Sequence, residues 1–323
     1  MLKFVLRRIL FSIPILVIAS FIVFWGIRVT FDPTARYRQS RDAAKLIAEK
    51  RKEFGLDRPL IAQWWSWATK FVRHDWGVSY TTGDKVTSMV SRALGFTMQL
   101  IFWGVLISLV VAVFVGVYSA VKQYSIGDVF FTSMSYIGVA MPPFWFALLM
   151  IQFTAVWPKT HWHLDHPIFY FVGLHSTGQS GINMDYVRHL FLPVLTLSVQ
   201  SVAVWSRFQR ASMLDVLSAD YIRTARAKGL PRRTVILKHG LRNALLPLVS
   251  QTAVDAAALF GGLVITEQIF SIPGMGRLFL TALQNGDVNV LLAWMLTGAV
   301  FVILFNLLAD IVYGFLDPRI RVQ

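Results

Sequence analysis

Asp215-Val216-Leu217-Ser218-Ala219-Asp220-Tyr221-Ile222-Arg223-Thr224-Ala225-Arg226-Ala227-Lys228-Gly229-Leu230-Pro231 is a charged stretch set between two apolar runs of bilayer length. It continues through Lys238-His239-Gly240-Leu241-Arg242-Asn243-Ala244 to Leu245-Leu246-Pro247. Charge at this density is incompatible with hydrocarbon, so the segment is an aqueous loop, and its excess of Lys and Arg predicts a cytoplasmic position. Leu217, Tyr221, Ile222 and Ala225 share one face of a helix expected over 217–228. Gly229 suits the left-handed residue that closes it, and Pro231 prevents continuation. Pro231 through His239 predicts a second short helix, Gly240 and Asn243 a bend, and Pro247 a place in the first turn of the next span. Two uses fit this pattern. One is a surface for a partner protein, with Ala225 leaving room for close docking; the other is a loop held at lipid headgroups by charge.

The flanking composition settles the broad class. Of 323 residues 55% are hydrophobic and 15% charged, with a mean hydropathy of +0.57. Soluble domains carry more charge than this, so the chain is read as an all-α integral membrane protein. The formal net charge of +14 is not read as nucleic-acid binding, because the basic residues sit largely in loops beside spans, where retention at anionic lipid accounts for them. The absence of cysteine excludes disulfides, thiolate nucleophiles and Cys-ligated metals.

Six segments are long enough to cross a bilayer, which takes about 20 apolar residues. They are 9–29, the stretch between Arg92 and Lys122, the stretch between Asp128 and Lys159, and 190–206, 244–266 and 288–315. The first follows Lys3, Arg7 and Arg8 and is read as an uncleaved anchor: its apolar run is too long for a signal peptide and no small-x-small site follows. Pro142-Pro143 should kink or break the third. With the N-terminus inside, the inner side holds Lys3, Arg7, Arg8, Lys122, the nine Lys and Arg from Arg207 to Arg242, and Arg319 and Arg321. The short outer loops hold Lys159, Arg188 and Arg277. The basic loop 30–93 is of the length at which the charge rule ceases to apply, so both termini are expected in the cytoplasm.

The resulting organisation is an N-terminal segment and first span at 1–29, an extracytoplasmic loop region at 30–93, a transmembrane core at 94–315 carrying the cytoplasmic loop 207–243, and a tail at 316–323. In the outer loop, Ala43, Ala44, Ile47 and Ala48 form a weak helical stripe before Gly55. Leu60, Trp64, Trp67, Ala68 and Phe71 recur at three- and four-residue steps, the pattern of an amphipathic helix at the headgroup level or of a docking platform. No internal repeat relates the spans, which weighs lightly against inverted-repeat carriers. His161, His163, Asp165, His166 and His175 are dense enough to hold a transition metal, but they lack regular ligand spacing, and no metal ligand set is assigned.

The string Asp220-Tyr221-Ile222-Arg223-Thr224-Ala225-Arg226-Ala227-Lys228-Gly229-Leu230, with Lys238 to Pro247 as its continuation, closely resembles the coupling loop of ABC-importer permeases of the oligopeptide/dipeptide branch. The general importer motif has Glu-Ala-Ala six residues ahead of Gly; here Arg223-Thr224-Ala225 precede Gly229, so only Ala225 and Gly229 survive, a departure habitual in the peptide branch. Further stretches resembling the family are Phe54-Gly55-Leu56-Asp57-Arg58-Pro59-Leu60, Asp75-Trp76-Gly77-Val78-Ser79, Glu267 through Arg277, Asn306 through Tyr313, and Asp317-Pro318-Arg319-Ile320-Arg321. The resemblance covers essentially the whole chain.

That resemblance implies a type I importer permease fold with six transmembrane helices, in a bacterial or archaeal plasma membrane. It implies half of a pathway completed by a homologous second permease. Peptide would be delivered by an extracytoplasmic binding protein, and energy supplied by two cytoplasmic ATPase subunits that hold the ATP and Mg. Asp220, Tyr221, Ala225, Lys228, Gly229 and Leu230 would couple to those ATPases. The chain has no Gly-x-x-x-x-Gly-Lys-Ser/Thr loop and is not expected to be an enzyme or to carry a cofactor. Membrane-embedded hydrolases are disfavoured by the lack of Cys, of Gly-x-Ser-x-Gly and of His-Glu-x-x-His. Asp255, deep in the fifth span, must face protein or a wet cavity. It meets a cationic substrate group, relays protons in an ion-coupled carrier, or pairs with a neighbouring span. A nickel or metal-chelate importer is the alternative the histidines keep open.

Overall fold

The computed structural model describes residues 2–316; among these the regular structure is helical, with one antiparallel bridge between Val78 and Lys85 and a long irregular stretch at 162–183. The tail expected at 316–323, with Arg319 and Arg321, lies beyond Leu316 outside the described residues. The first helix, α1, spans Leu2–Thr30. A 3-10 turn at Ala35–Gln39 leads to α2 (Ala43–Glu53) and α3 (Leu60–Val72), so both helices expected in the 30–93 region are present. The stripe of α3 packs against α1: the Trp64 indole Nε1 donates to Ser20 Oγ at 3.1 Å, and Trp67 lies 5.5 Å from Phe24. Its other side leaves Ile61, Trp65 and Val72 exposed.

α4 (Val86–Val121) is the longest helix. After it, α5 (Ile126–Ala140) and α6 (Pro143–Ile151) are separated by a break at which the chain turns by 104°. Pro142-Pro143 therefore breaks the helix outright. Met141, ahead of a proline, is extended at φ −83 and ψ 122, as the ring of Pro142 demands, and Pro143 starts the new helix. A π-helical turn, Gln152–Val156, joins α6 to α7 (Trp157–His161).

α8 (Met184–Ser218) runs well past the span expected at 190–206. A short α9 (Asp220–Ala227) and α10 (Arg232–Thr234) follow. A π-helical segment, Val235–Leu241, then leads without interruption into α11 (Arg242–Ile269). The expected bend at Gly240 and Asn243 is therefore absent, and Pro247 lies inside a continuous helix, not in its first turn. Gly240 serves contact instead of bending: a Cβ there would lie 3.0 Å from Met213 Cε of α8. α12 (Met275–Gln284) and α13 (Val288–Leu316) complete the chain. Among the described residues five helices are long and apolar enough to cross a membrane, and the bent pair makes six if counted as one span.

The most extensive interhelical contact is between α4 and α8. Gly104, Ser108, Ala112, Gly116 and Ala120 recur every four residues along α4 and are all buried, so they form one small-residue seam. Small side chains let helices approach closely in lipid, where the hydrophobic effect provides no drive between spans. At Gly116 the approach is tightest: a Cβ would lie 2.6 Å from Gln209 Cβ and 2.8 Å from the Ser206 carbonyl oxygen. Gly95, on the same helix, has open space around it. Gly116→Leu is expected to destabilise the purified chain by about 1–3 kcal/mol through overpacking, whereas Gly95→Leu should be close to neutral. Thermal unfolding in detergent measures both, and equal melting temperatures would remove the seam from the account.

Candidate functional site

The basic loop folds as a helical hairpin whose inner side is apolar. The expected helix over 217–228 is divided: α8 ends at Ser218, Ala219 is extended at φ −70 and ψ 149, and α9 begins at Asp220. Ser218 Oγ turns back to the Asp215 carbonyl at 2.8 Å, a local bond that competes with helix continuation. Asp220 in the first turn of α9 complements the positive end of the helix. Gly229 takes φ +73, the left-handed closure expected of it, and Pro231 precedes the next helical turn.

Ile222, Ala225 and Val235 form a small buried cluster with Val216 against it. Ala225 thus faces Val235 within the hairpin, and its small size serves this internal contact. Tyr221 is 44% exposed, and its hydroxyl accepts from Asn243 Nδ2 at 3.0 Å, tying α9 to α11. Asp220, Lys228, Gly229 and Leu230 are exposed. Arg223, Arg226, Arg232 and Arg233 are exposed beside them, and Asp220 with Arg223 at 3.4 Å is a solvent-facing pair of little energetic consequence. The outer surface is therefore strongly cationic over a fixed apolar core.

Where the hairpin joins the bundle, Asp128 of α5 and Arg210 of α8 form a bidentate pair at 2.8 and 2.9 Å. Asp128 is 3% exposed and also accepts from the Tyr124 N–H at 2.9 Å, while Ser125 Oγ caps the helix by accepting from Asp128 N–H. The sequence reading treated Asp128 as a span boundary and missed this pair. The Ser125-x-x-Asp128 spacing of a capping box carries the signal for the helix start, though not for Arg210, 82 positions away.

Asp255 accepts from Trp205 Nε1 of α8 at 2.7 Å and from Gln251 Nε2 at 2.8 Å. It is partly exposed, and each oxygen keeps a further lone pair beyond these two bonds.

A buried carboxylate quoted in the sequence only as part of a stretch, with no role assigned, is Glu267, near the end of α11. It accepts from Thr97 Oγ1 at 2.5 Å, from Gly276 N–H at 2.7 Å and from Arg277 N–H at 3.2 Å, and Thr97 Oγ1 accepts from Met275 N–H. It thereby caps the start of α12 and ties that turn to α4. Space explains the glycines of this stretch: a Cβ at Gly274 would strike the Glu267 carboxylate, and one at Gly276 the Val264 backbone. The outer-loop stretch 75–79 is held similarly, Ser79 Oγ donating to Asp287 and Asn289 Nδ2 to the Val78 carbonyl.

The histidines of the outer loop do not converge. His161 stacks on Trp157, His163 and His166 are exposed, and His175 stands 3.8 Å from Asp185. Among the described residues no three potential ligands gather as a metal set.

A bundle of membrane-length helices with a basic hairpin continuous with two of them defines a polytopic membrane protein built around an aqueous elbow. A family model described as the binding-protein-dependent transport system inner membrane component matches residues 112–322, and its N-terminal companion matches 1–101. The chain belongs to this family. It is 35% identical, over all of both chains, to the oligopeptide transport system permease protein OppB of Mycobacterium tuberculosis. It is also 35% identical to the permease AppB of Bacillus subtilis, over 99% of this chain and 100% of that one, and to the dipeptide transport system permease protein DppB of Escherichia coli K12, over 99% of each. Among solved structures, the inward-facing MetNI methionine ABC transporter in its CY5 native crystal form matches with a TM-score of 0.54 at 17% identity, over 71% of this chain and 96% of that one. The fold is that of a type I ABC importer permease, as the resemblance implied.

Asp128→Ala and Arg210→Ala are each expected to lower stability. The double variant should lose less than the sum, with a coupling of about 1–3 kcal/mol for groups in direct contact. Unfolding of the four proteins closes the cycle; strict additivity would show that the pair contributes nothing as a pair.

Proposed function

We propose that this chain is the transmembrane permease subunit of an ATP-driven importer and forms half of a translocation pathway for di- or oligopeptides. A homologous permease completes the pathway, and an extracytoplasmic binding protein delivers the peptide. Two cytoplasmic ATPase subunits, which hold the ATP and Mg, engage the hairpin. Both termini and the hairpin lie in the cytoplasm, in keeping with the distribution of Lys and Arg. The hairpin carries this reading: an apolar-locked core presents an outward cationic surface, and its arms join α8 across the single extended residue Ala219 and α11 without a break. The names of relatives spanning the full chain favour peptide cargo.

Asp220, Tyr221, Lys228, Gly229 and Leu230 form the docking surface, and Ala225 sets its shape from beneath. Nucleotide-driven closure of the ATPases would move the hairpin as a body and swing the attached spans between inward- and outward-open arrangements. Asp255 joins the pathway in this proposal, since its remaining lone pairs can accept from the amino terminus of a passing peptide.

Valine at Gly229 would meet a strain of about 1–2 kcal/mol in the left-handed region and remodel the hairpin tip, so peptide uptake by the reconstituted complex should fall by about tenfold or more. Membrane insertion should be unchanged. Asp255→Asn should reduce uptake of free-amine peptides more than that of N-acetylated ones. Because the chain lacks cysteine, Lys228→Cys and Thr82→Cys can be labelled without background: the first should react only from the cytoplasm, the second only from outside. Uptake by the isolated chain without ATPases, or labelling in the reverse sense, would refute the proposal.

A further inference from the structure

An apolar groove of about 860 Å³ opens between the lower half of α4 and the start of α11. Leu109, Val113 and Val117 of α4 face Leu241, Leu245 and Val249 across it, and Lys122 and Arg233 stand at one end. Val110, Phe114 and Leu237 on its rim are 61%, 68% and 58% exposed. From Leu109 to Lys122 the helix rises by about 20 Å, close to the roughly 15 Å hydrocarbon depth of one leaflet. The groove thus has the length of an acyl chain, apolar walls, and cations where a headgroup would lie.

Those cations are available. Lys122 Nζ sits 5.2 Å from the Tyr118 ring centroid, which holds it at the mouth, and both Lys122 and Arg233 are exposed. Among the described residues neither is in a salt bridge. A transmembrane helix, with a diameter of about 10–12 Å and its charges outside the hydrocarbon, would match the apolar walls but not the paired cations at one end. An amphiphile with a single anionic head matches both.

We infer that this groove is a binding site for one anionic phospholipid, its acyl chains lying between α4 and α11 and its phosphate held by Lys122 and Arg233. The inference rests on the proposed orientation, which places these residues at the leaflet richer in anionic lipid. A lipid wedged here would touch the first turns leading out of the hairpin, so its occupancy would bear on the packing of α11 against α4.

The test is native mass spectrometry of the full-length chain, purified with its co-expressed partner subunits from membranes containing phosphatidylglycerol, cardiolipin and phosphatidylethanolamine. Retained lipid should favour the anionic species by about thirtyfold, as two basic contacts at a headgroup predict. Lys122→Gln/Arg233→Gln should abolish that preference, Lys122→Arg/Arg233→Lys should keep it, and Val117→Trp should reduce retention of any lipid. A photoreactive benzoylphenylalanine in place of Leu237 should crosslink to phospholipid. Equal retention in wild type and the Gln variant, or a crosslink to another subunit, overturns the site. Absence of any anionic preference in the wild-type chain, with cysteine labelling in the expected sense, overturns the site alone. Reversed labelling overturns the orientation on which it rests.

Discussion

The close approach of α4 and α8 is the contact on which the rest of the bundle depends. Lipid tails are as apolar as the side chains they would replace, so two spans associate through fit and through polar contacts. The seam from Gly104 to Ala120 provides the fit, at its closest where Gly116 meets Gln209 and the Ser206 carbonyl. Other helices then attach to this pair. α5 and α11 both lean on α8, and α12 and α13 reach α4 near its other end.

Polar latches secure the two ends of that framework. Asp128 with Arg210 joins α5 to α8 beside the hairpin, and Glu267 with Thr97 joins the α11–α12 turn to α4 at the far end. Each carboxylate is buried and meets several donors, which is the condition under which a buried charge is tolerated. The two latches differ in kind. Asp128 meets a formal cation, whereas Glu267 is satisfied by a hydroxyl and by backbone N–H groups at a helix start. Withdrawal of Arg210 leaves Asp128 its Tyr124 and Thr132 donors, whereas withdrawal of Glu267 leaves two backbone N–H groups at the start of α12 without their acceptor. This asymmetry leaves the hairpin end the more adaptable of the two.

How much of this was legible follows from the range of the signals. Hydropathy runs report local burial, so the spans and the break at Pro142-Pro143 were readable, as were Gly229 and the two helices of the outer loop. Charge misled at α8: Arg207 and Arg210 read as loop residues, yet Arg207 lies over the Tyr136 ring at 4.4 Å and Arg210 pairs with Asp128. Both remain helical because their charges are answered by α5, an element distant in sequence. Pro247 misled in the opposite direction, since a proline can sit within a helix where neighbouring helices support it. Glu267 was quoted as part of a stretch, but its role depends on Thr97, 170 positions away. The inward turn of Ala225 was hidden for the same reason, because its partner Val235 lies on the far side of the Gly229 turn.

The sequence of the hairpin leaves two uses open, and in the structure its apolar residues and its charges occupy different sides. A loop held only by headgroup attraction needs no internal core, and its cations could sit on flexible chain. Here Ile222, Ala225 and Val235 fix α9 against the π-helical segment, and the Tyr221–Asn243 bond fixes it to α11. The two arms continue into α8 and α11 without a flexible joint on the α11 side. A push on such a body is carried into the spans and is not absorbed in the loop. On the proposed function, the same rigidity requires the spans to yield somewhere else, and the candidates are the 104° break at Pro142-Pro143 and the π-helical turn Gln152–Val156, where the regular backbone ladder is already interrupted. A stiff elbow joined to spans with defined weak points is the arrangement that converts displacement at one end of a bundle into rearrangement along it.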